Sequence, residues 1–473
     1  MKTKILVLFL AALLMLSLLA GCKSKAPATE TDEPTDTDAT GETYYPDTLP
    51  RSDYAEFDKI KIATIDSNIM PEEMPDNADM VDEQKYWRDY QLQKDWNMTI
   101  SYHEVKNGID SEEAMYMLNL VQQNSSEVDA FIQQPDNLMT LAINGAVCNL
   151  YGVKTLDLSR EWWSQSMNQN LVFNDSLYVT AGPVAEWYYG AVLAMAYNKT
   201  LAEAEGIPSL YDTVLAGEWT LEAMQTIITE HNLTDKPEGK YAISFASGVG
   251  PYGLFASAGG HFAAIDEDKG IVVDLASTSN VQLLEAILKA FDRDQTIYGN
   301  IKVTSDAFIG AKTLFYYTTV GYMELYLPSS GIDYGIIPCP KYDVKQEKYI
   351  SCAWPSSSYA MAIPSYEQGR QLEWVGLVME AYCYKGMEMI KPVKYDTLLK
   401  YQVALDNVSS MNLDLIFDNV YFDINLVSNL GGSRSFIGTA ITQGMGGYAG
   451  SYIGISGLIK ADIAKFSSLT GKS

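Results

Sequence analysis

The sequence predicts an α/β fold built on parallel sheet, and three observations carry that expectation. β-Branched runs and helical periods alternate from residue 59 onward. The body, about residue 55 to 473, is long enough for two domains of ordinary size. Its composition is globular, at 47% hydrophobic and 20% charged. Lys59–Asp66 (KIKIATID) alternates and is rich in isoleucine, so it reads as a strand. Met80–Trp96 has helical character, with Tyr86, Tyr90 and Trp96 among charges. Met98–His103 reads as a second strand and Val128–Ile132 as a third. Between them Glu112–Val121 places Met115, Leu118 and Val121 at helical spacing. A β-α-β-α-β opening implies a parallel sheet. Further on, Leu171–Val179 reads as a hairpin turning at Asn174-Asp175, and Ala191–Tyr197 as a buried strand. Thr220 is a good N-cap for a helix carrying Leu221, Met224, Ile227 and Ile228. Another helix is expected after Ser279 or Asn280, with Val281, Leu284, Leu288 and Phe291 on one face. Thr313–Tyr317 and Tyr334–Ile337 read as strands. Leu372–Tyr384, Tyr395–Val403 and Met411–Phe417 read as helices, and the Gly- and Ser-rich Gly431–Gly457 as loop with a short helix.

The first residues form a leader. Lys2 and Lys4 precede an apolar run, Ile5–Leu19, that ends in Leu19-Ala20-Gly21-Cys22. The run is too short for a comfortable membrane span and has the parts of a secretory signal peptide, residues 1–21. Leu-Ala-Gly-Cys resembles the bacterial lipobox, which implies a lipidated Cys22 as the mature N-terminus. Acyl chains contribute about 0.8 kcal/mol per buried CH₂, so a multiply acylated Cys22 would hold the chain on a membrane without spanning it. Residues 22–54 then form an acidic linker of Ala, Pro, Thr, Asp and Glu, too poor in apolar side chains to build a core. No later apolar run reaches the roughly 18 residues of a span. The expected location is the outer face of the cytoplasmic membrane, lipid-anchored.

A net charge of −27 with no basic patch argues against nucleic acid as a partner. Cys148, Cys339, Cys352 and Cys383 are widely spaced and form no C-x-x-C; Cys339 and Cys352 could form a disulfide across a hairpin, but buried free thiols are the favoured reading. His103, His231 and His261 are dispersed, so no metal or cofactor is called for. Gly248-Val-Gly-Pro-Tyr-Gly253 matches G-x-G-x-x-G, but the chain runs into Gly259-Gly260 where a dinucleotide site needs a helix. Asp266–Gly270 lacks the glycine offset and the closing Glu of a calcium loop and reads as a hairpin turn.

Several segments together resemble the extracellular solute-binding proteins of bacterial ABC importers, the maltose-binding-like, sugar-type family. They are Tyr197-Asn198-Lys199, Leu210–Leu221 (LYDTVLAGEWTL), Tyr334–Tyr342 (YGIIPCPKY), Glu161-Trp162-Trp163, Asn174–Tyr178 and Ser257-Ala258-Gly259-Gly260. Asn-Asp-Ser stands at 174–176 where Gly-Lys is commoner in that family. The likeness covers roughly residues 55 to 440 and rests on the order and spacing of the motifs. It implies a two-lobed periplasmic-binding-protein-like fold of the class II type, each lobe a sheet flanked by helices, joined by a crossover hinge. It places the crossings near Ala181–Glu186, Ile301–Asp306 and Trp354–Tyr359. Lobe 1 is then 55–183 plus 306–356, and lobe 2 is 184–305 plus 357–473. It also implies a small-molecule ligand, expected to be a carbohydrate, the membrane subunits of an importer as partners, and a monomer without enzymatic activity.

A neutral sugar offers hydroxyls on its rim and C–H groups on its faces, so its site needs aromatic plates and fixed polar groups. The chain carries 32 tyrosines and 8 tryptophans. Glu186, Trp187, Tyr188 and Tyr189 cluster at the first crossing, and Tyr317 (after Tyr316) and Trp354 fall near the other two. Three consecutive aromatics cannot all point inward from one strand. Asp66, Ser67 and Asn68 end the first strand, where open α/β sheets bind ligands. Trp163 is a further candidate. Packing is the competing role for every one of these rings, and capping for the three polar residues. Two other readings stand beside a sugar receptor: a receptor for a peptide or another polar solute, and a surface glycoside hydrolase using a pair such as Glu161 and Glu186.

Overall fold

The alternating run at the start of the body becomes β1 (Lys59–Thr64), with Ile60, Ile62 and Ala63 buried. The computed structural model describes residues 50–65, 73–105, 110–125, 127–173, 175–231, 233, 240–246, 250–266, 270–274, 276–290 and 296–469. The signal peptide, Cys22 and nearly all of the linker therefore lie outside the described residues. The linker ends sooner than expected. Arg51 already belongs to the body: its guanidinium donates to the carbonyls of Trp96, Tyr54 and Phe57 and stacks 4.6 Å from the Trp374 ring.

Helix α1 (Met80–Trp96) starts where Asp79 accepts from the amides of Val81 and Asp82, and Asp82 in turn accepts from the amide of Asp79. Such a box satisfies amides that the first helical turn cannot bond itself. The helix stops at Asn97, which takes the left-handed conformation at φ 47°. β2 (Thr99–Glu104), α2 (Asp110–Gln122), β3 (Ala130–Gln133) and α3 (Pro135–Ile143) follow. β1 pairs in parallel with both β2 and β3, as the β-α-β-α-β reading requires. The expected hairpin at 171–179 shrinks to one bridge between Phe173 and Ser176.

The chain then crosses to a second sheet, made by β4 (Leu193–Asn198), β5 (Tyr241–Ala246), β8 (Thr296–Gly299), β9 (Thr313–Thr319) and β10 (Tyr334–Ile337) in the order β10-β4-β9-β5-β8. A separate hairpin of β6 (Ala263–Asp266) and β7 (Gly270–Val273) pairs Asp266 with Gly270. Thr220 caps α4 (Leu221–Glu230) through the amide of Ala223. Contrary to expectation, a helix does open in the glycine-rich segment: α5 (Gly250–Ser257). Its glycines serve packing, since a Cβ on Gly253 would lie 2.3 Å from Leu193 Cδ1 and one on Gly250 2.4 Å from the Phe245 ring. α6 (Thr278–Ala290) matches the expected helix.

Two boundary expectations are corrected. Residues 301–306 are not a crossing. They open helix α7 (Ile301–Ile309), capped by Asn300 and packed on β5 and β9. Nor does 306–356 join the first lobe: β9 pairs with both β4 and β5, and β10 with β4. The return comes later. β11 (Ser351–Cys352) follows β10; the chain passes Trp354–Tyr359, and β12 (Ala360–Ala362) adds antiparallel to β3, giving the first sheet the order β12-β3-β1-β2. Helix α8 (Val320–Tyr326) belongs to the second lobe, whereas α9 (Gly369–Lys391) packs on α1 in the first, its Trp374 stacking with Phe57. A π-helical stretch, Pro392–Val403, and α10 (Asn407–Phe417) return to cover the second sheet, placing Tyr395, Leu399 and Ile416 against Tyr316 and Ile336. β13 (Val420–Tyr421) pairs with β11.

The tail is more helical than its composition suggests. α11 (Ile424–Ser428) and α12 (Phe436–Leu469, broken at Gly444 with φ 72°) reach elements of both lobes. Both sheets lie within one compact unit, Leu49–Ser473. All four body cysteines are free thiols. No helix among the described residues is long and apolar enough to cross a membrane.

Candidate functional site

Parallel strands direct their carboxyl ends to one edge of a sheet, and here β1 and β3 end at Thr64 and Gln133. Gln134 follows at once. Its amide donates to the Ser356 carbonyl (2.8 Å) in the returning crossing. From the second lobe, Thr319 caps α8 through the amide of Tyr322, which sets Tyr322 on the first helical turn. Trp187, on a short helical turn Trp187–Gly190, meets Tyr322 edge-on at 5.9 Å. These parts enclose an interlobe groove of about 170 Å³ lined by Gln134, Trp187, Tyr322 and Ser356–Tyr359.

The polar groups at this edge are charge-balanced and incompletely bonded. Asp136, on the first turn of α3, accepts from Ser356 Oγ (2.7 Å) and from Arg434 Nη1 (2.9 Å). The Arg434 guanidinium lies 5.7 Å from the Trp354 ring. Among the described residues, Thr64 Oγ1, Gln134 Oε1, Ser358 Oγ, Arg434 Nε and both amide atoms of Gln133 are buried without a hydrogen-bond partner. Buried polar atoms are nearly always bonded, and leaving one unpaired costs about 1–3 kcal/mol. Of these, Gln134 and Ser358 line the groove with the two aromatic rings, an arrangement that suits a ligand that both donates and accepts.

No family model matches the chain, and no curated protein matches it in sequence. Solved structures do. The GacH receptor of Streptomyces glaucescens GLA.O, solved unliganded and with acarbose and an acarbose homolog, superposes with a TM-score of 0.53 at 13% identity, over 88% of this chain and 99% of that one. The ABC substrate-binding protein Lmo0181 from Listeria monocytogenes, in complex with cycloalternan, gives 0.52 at 11% identity over 88% and 100%. UgpB from Mycobacterium tuberculosis, in complex with glycerophosphocholine, gives 0.53 at 14% identity over 87% and 96%. The chain has the fold of the ABC substrate-binding proteins.

Within this substrate-binding-protein fold the expected site residues separate. Trp187 lines the groove; Trp354 does not line it, and lies 5.7 Å from Arg434, which donates to Ser356 of the lining. Asp66, Ser67 and Asn68 lie outside the described residues. Glu186 turns away to an ion pair with buried Lys85 (3.0 Å), tying α1 to the crossing. Trp163, Tyr188 and Tyr189 line a different cavity that shares no residue with the groove, and Glu161 lies there too. Trp163 is almost wholly buried, its indole N–H given to Glu380, and Tyr189 is part of the second-lobe core. Tyr317 does not face the groove. It is fully buried in β9, a strand covered on both faces, so that Tyr316 and Tyr317 are both interior.

Sequence reasoning missed Gln134, Tyr322, the serines 356–358 and Arg434. The rule that selected Asp66–Asn68 after β1 also points to Gln134 after β3 and to the turn after β9 that carries Tyr322. Arg434 lies in a tail that reads as loop, and no signal in the sequence marks it.

Proposed function

We propose that this protein captures a neutral polar solute, a sugar or oligosaccharide, in the interlobe groove and delivers it to the membrane subunits of an ABC importer. It does so as a monomer held at the outer face of the cytoplasmic membrane by lipid on Cys22. The observation that carries this reading is the groove itself. Two rings from the second lobe and its crossing, Trp187 and Tyr322, face Gln134 and the serines 356–358 across the junction. A sugar would present C–H faces to the rings and hydroxyls to the unpaired polar atoms. Because the ligand meets both lobes, binding would favour the closed arrangement that an importer reads. Neither Glu161 nor Glu186 lines the groove, which favours binding over a glycosidase built on that pair.

A thermal-shift screen of the purified protein against an oligosaccharide panel, followed by calorimetry, tests the proposal. A cognate sugar raises the melting temperature and is recovered intact, and Trp187→Ala weakens its binding by about ten-fold or more. Equal affinity in wild type and Trp187→Ala, or cleavage of the bound sugar, would overturn it.

A further inference from the structure

A second cavity, of about 600 Å³, opens on the other side of the crossing. The split is visible in three consecutive residues: Trp187 lines the groove, while Tyr188 and Tyr189 line the cavity. This volume falls in the range of small-molecule sites.

Its aromatic walls are held in place by bonds of their own. The indole N–H groups of Trp162 and Trp163 each donate to buried Glu380 at 3.0 Å. Tyr189 stacks on Tyr395 at 5.6 Å, and Tyr395 meets Phe417 edge-on at 4.7 Å while giving its hydroxyl to Asp414. Rings fixed in this way lose little freedom when a ligand arrives.

The polar part of the lining is acidic. Glu161, Asp396, Asp414 and Asp418 face one lining ammonium, Lys391, which is bonded to Asp396 (3.1 Å); Lys400, outside the lining, is bonded to Asp414 (2.8 Å). Asp396 and Asp414 are each matched by one of these ammonium groups, and Asp418 adds further acidic charge to the lining. The Tyr395 ring already serves as a cation acceptor, with Lys391 Nζ 5.6 Å and Lys400 Nζ 5.9 Å from its centre. Among the described residues no cluster of His, Cys, Asp or Glu has the makings of a metal site.

We infer that this cavity is a second ligand site, distinct from the groove, for a small organic cation of the methylated-ammonium class. A quaternary ammonium is weakly hydrated, so it enters an aromatic enclosure at low desolvation cost, and ring faces attract it. The acidic lining supplies the neutralising charge. A neutral solute of the same shape gains the apolar contact and neither electrostatic contribution.

The test compares choline with 3,3-dimethylbutan-1-ol, its neutral isostere with carbon in place of nitrogen, by calorimetry on the purified protein. Choline binds saturably, and the isostere binds about thirty-fold more weakly or worse. Phe417→Leu and Asp418→Asn each weaken choline about five-fold or more. Asp418 is exposed, so its variant keeps the fold, and an unchanged melting temperature verifies that. Absence of saturable choline binding, equal affinity for the isostere, or choline affinity untouched by both substitutions would overturn the assignment. So would displacement of choline by a solute that occupies the groove.

Discussion

Glu380 sits inside helix α9 with no exposed surface, yet it carries the two tryptophans that wall the second cavity. Its carboxyl accepts from Trp162 Nε1 and Trp163 Nε1 and from the Asp157 amide. Burial pushes its pKa up to about 8, against the opposing pull of those three donors. The sign of the resulting pH dependence is fixed by linkage. The folded chain holds a proton that the unfolded chain releases near pH 4.5, so the contribution to stability is whole below that pH and is lost as pH rises toward 8. Urea denaturation between pH 5 and 8 is therefore expected to show stability falling with pH. Burial also pushes Glu367 up to about 7 and contributes in the same direction. The comparison that isolates Glu380 is with Glu380→Gln, whose stability should fall by about 1.4 kcal/mol per pH unit less than wild type within that window. Parallel curves for the two proteins would mean that Glu380 is ionised throughout.

Between elements, the groove depends on how closely α8 approaches the turn that bears Trp187. A Cβ on Gly321 would lie 2.7 Å from Trp187 Cζ3 and 3.0 Å from the Gly190 carbonyl, and one on Gly190 would lie 2.9 Å from the indole. The ring rests on two glycines. Gly321→Ala ought to favour an isolated helix, but here it must displace the indole. The expected result is a loss of about 1–3 kcal/mol in stability and a solute affinity lowered about as far as by Trp187→Ala. Affinity equal to wild type would show that the indole position does not matter to binding. How much of this was legible depends on how local the cause is. β1, α1, the Thr220 cap and β10 could be read because alternation, capping and periodicity lie within a few residues. The assignment of β9 and β10 to the second sheet could not, since it rests on pairing with strands that are distant in sequence. α12 escaped because its glycines have low helix propensity; it is held by the packing of Phe436, Ile437, Ala440 and Phe466, and such contacts override propensity. Of the aromatic cluster Trp187 lines the groove, and its split from Tyr188 and Tyr189 was not readable.

Across the whole molecule, the first crossing is clamped to one lobe before it reaches the other. Buried Arg88 donates to the Val184 carbonyl (2.5 Å) and to the Tyr382 hydroxyl, beside Asp89 and Tyr102. On the other side, α9 lies directly against the crossing backbone: a Cβ on Gly386 would fall 2.1 Å from the Pro183 carbonyl, and one on Gly182 would fall 2.5 Å from Cys383 Sγ. Residues 182–184 are therefore packed against elements of the first lobe on both sides, just ahead of the turn that carries Trp187. The Lys85–Glu186 ion pair adds a further tie between α1 and the crossing, next to Trp187. Trp187 follows this clamped segment within three residues and faces Gln134 across the groove, so a shift of the crossing is expected to change the spacing between them. Gly386→Ala, which touches no groove residue, is expected to lift the crossing at Pro183. Overpacking of this kind costs about 1–3 kcal/mol in a denaturation experiment, and the same variant should bind the groove solute several-fold more weakly. If Gly386→Ala loses stability but keeps wild-type affinity in calorimetry, the crossing is only a tether, and the groove is shaped by the sheet edge alone.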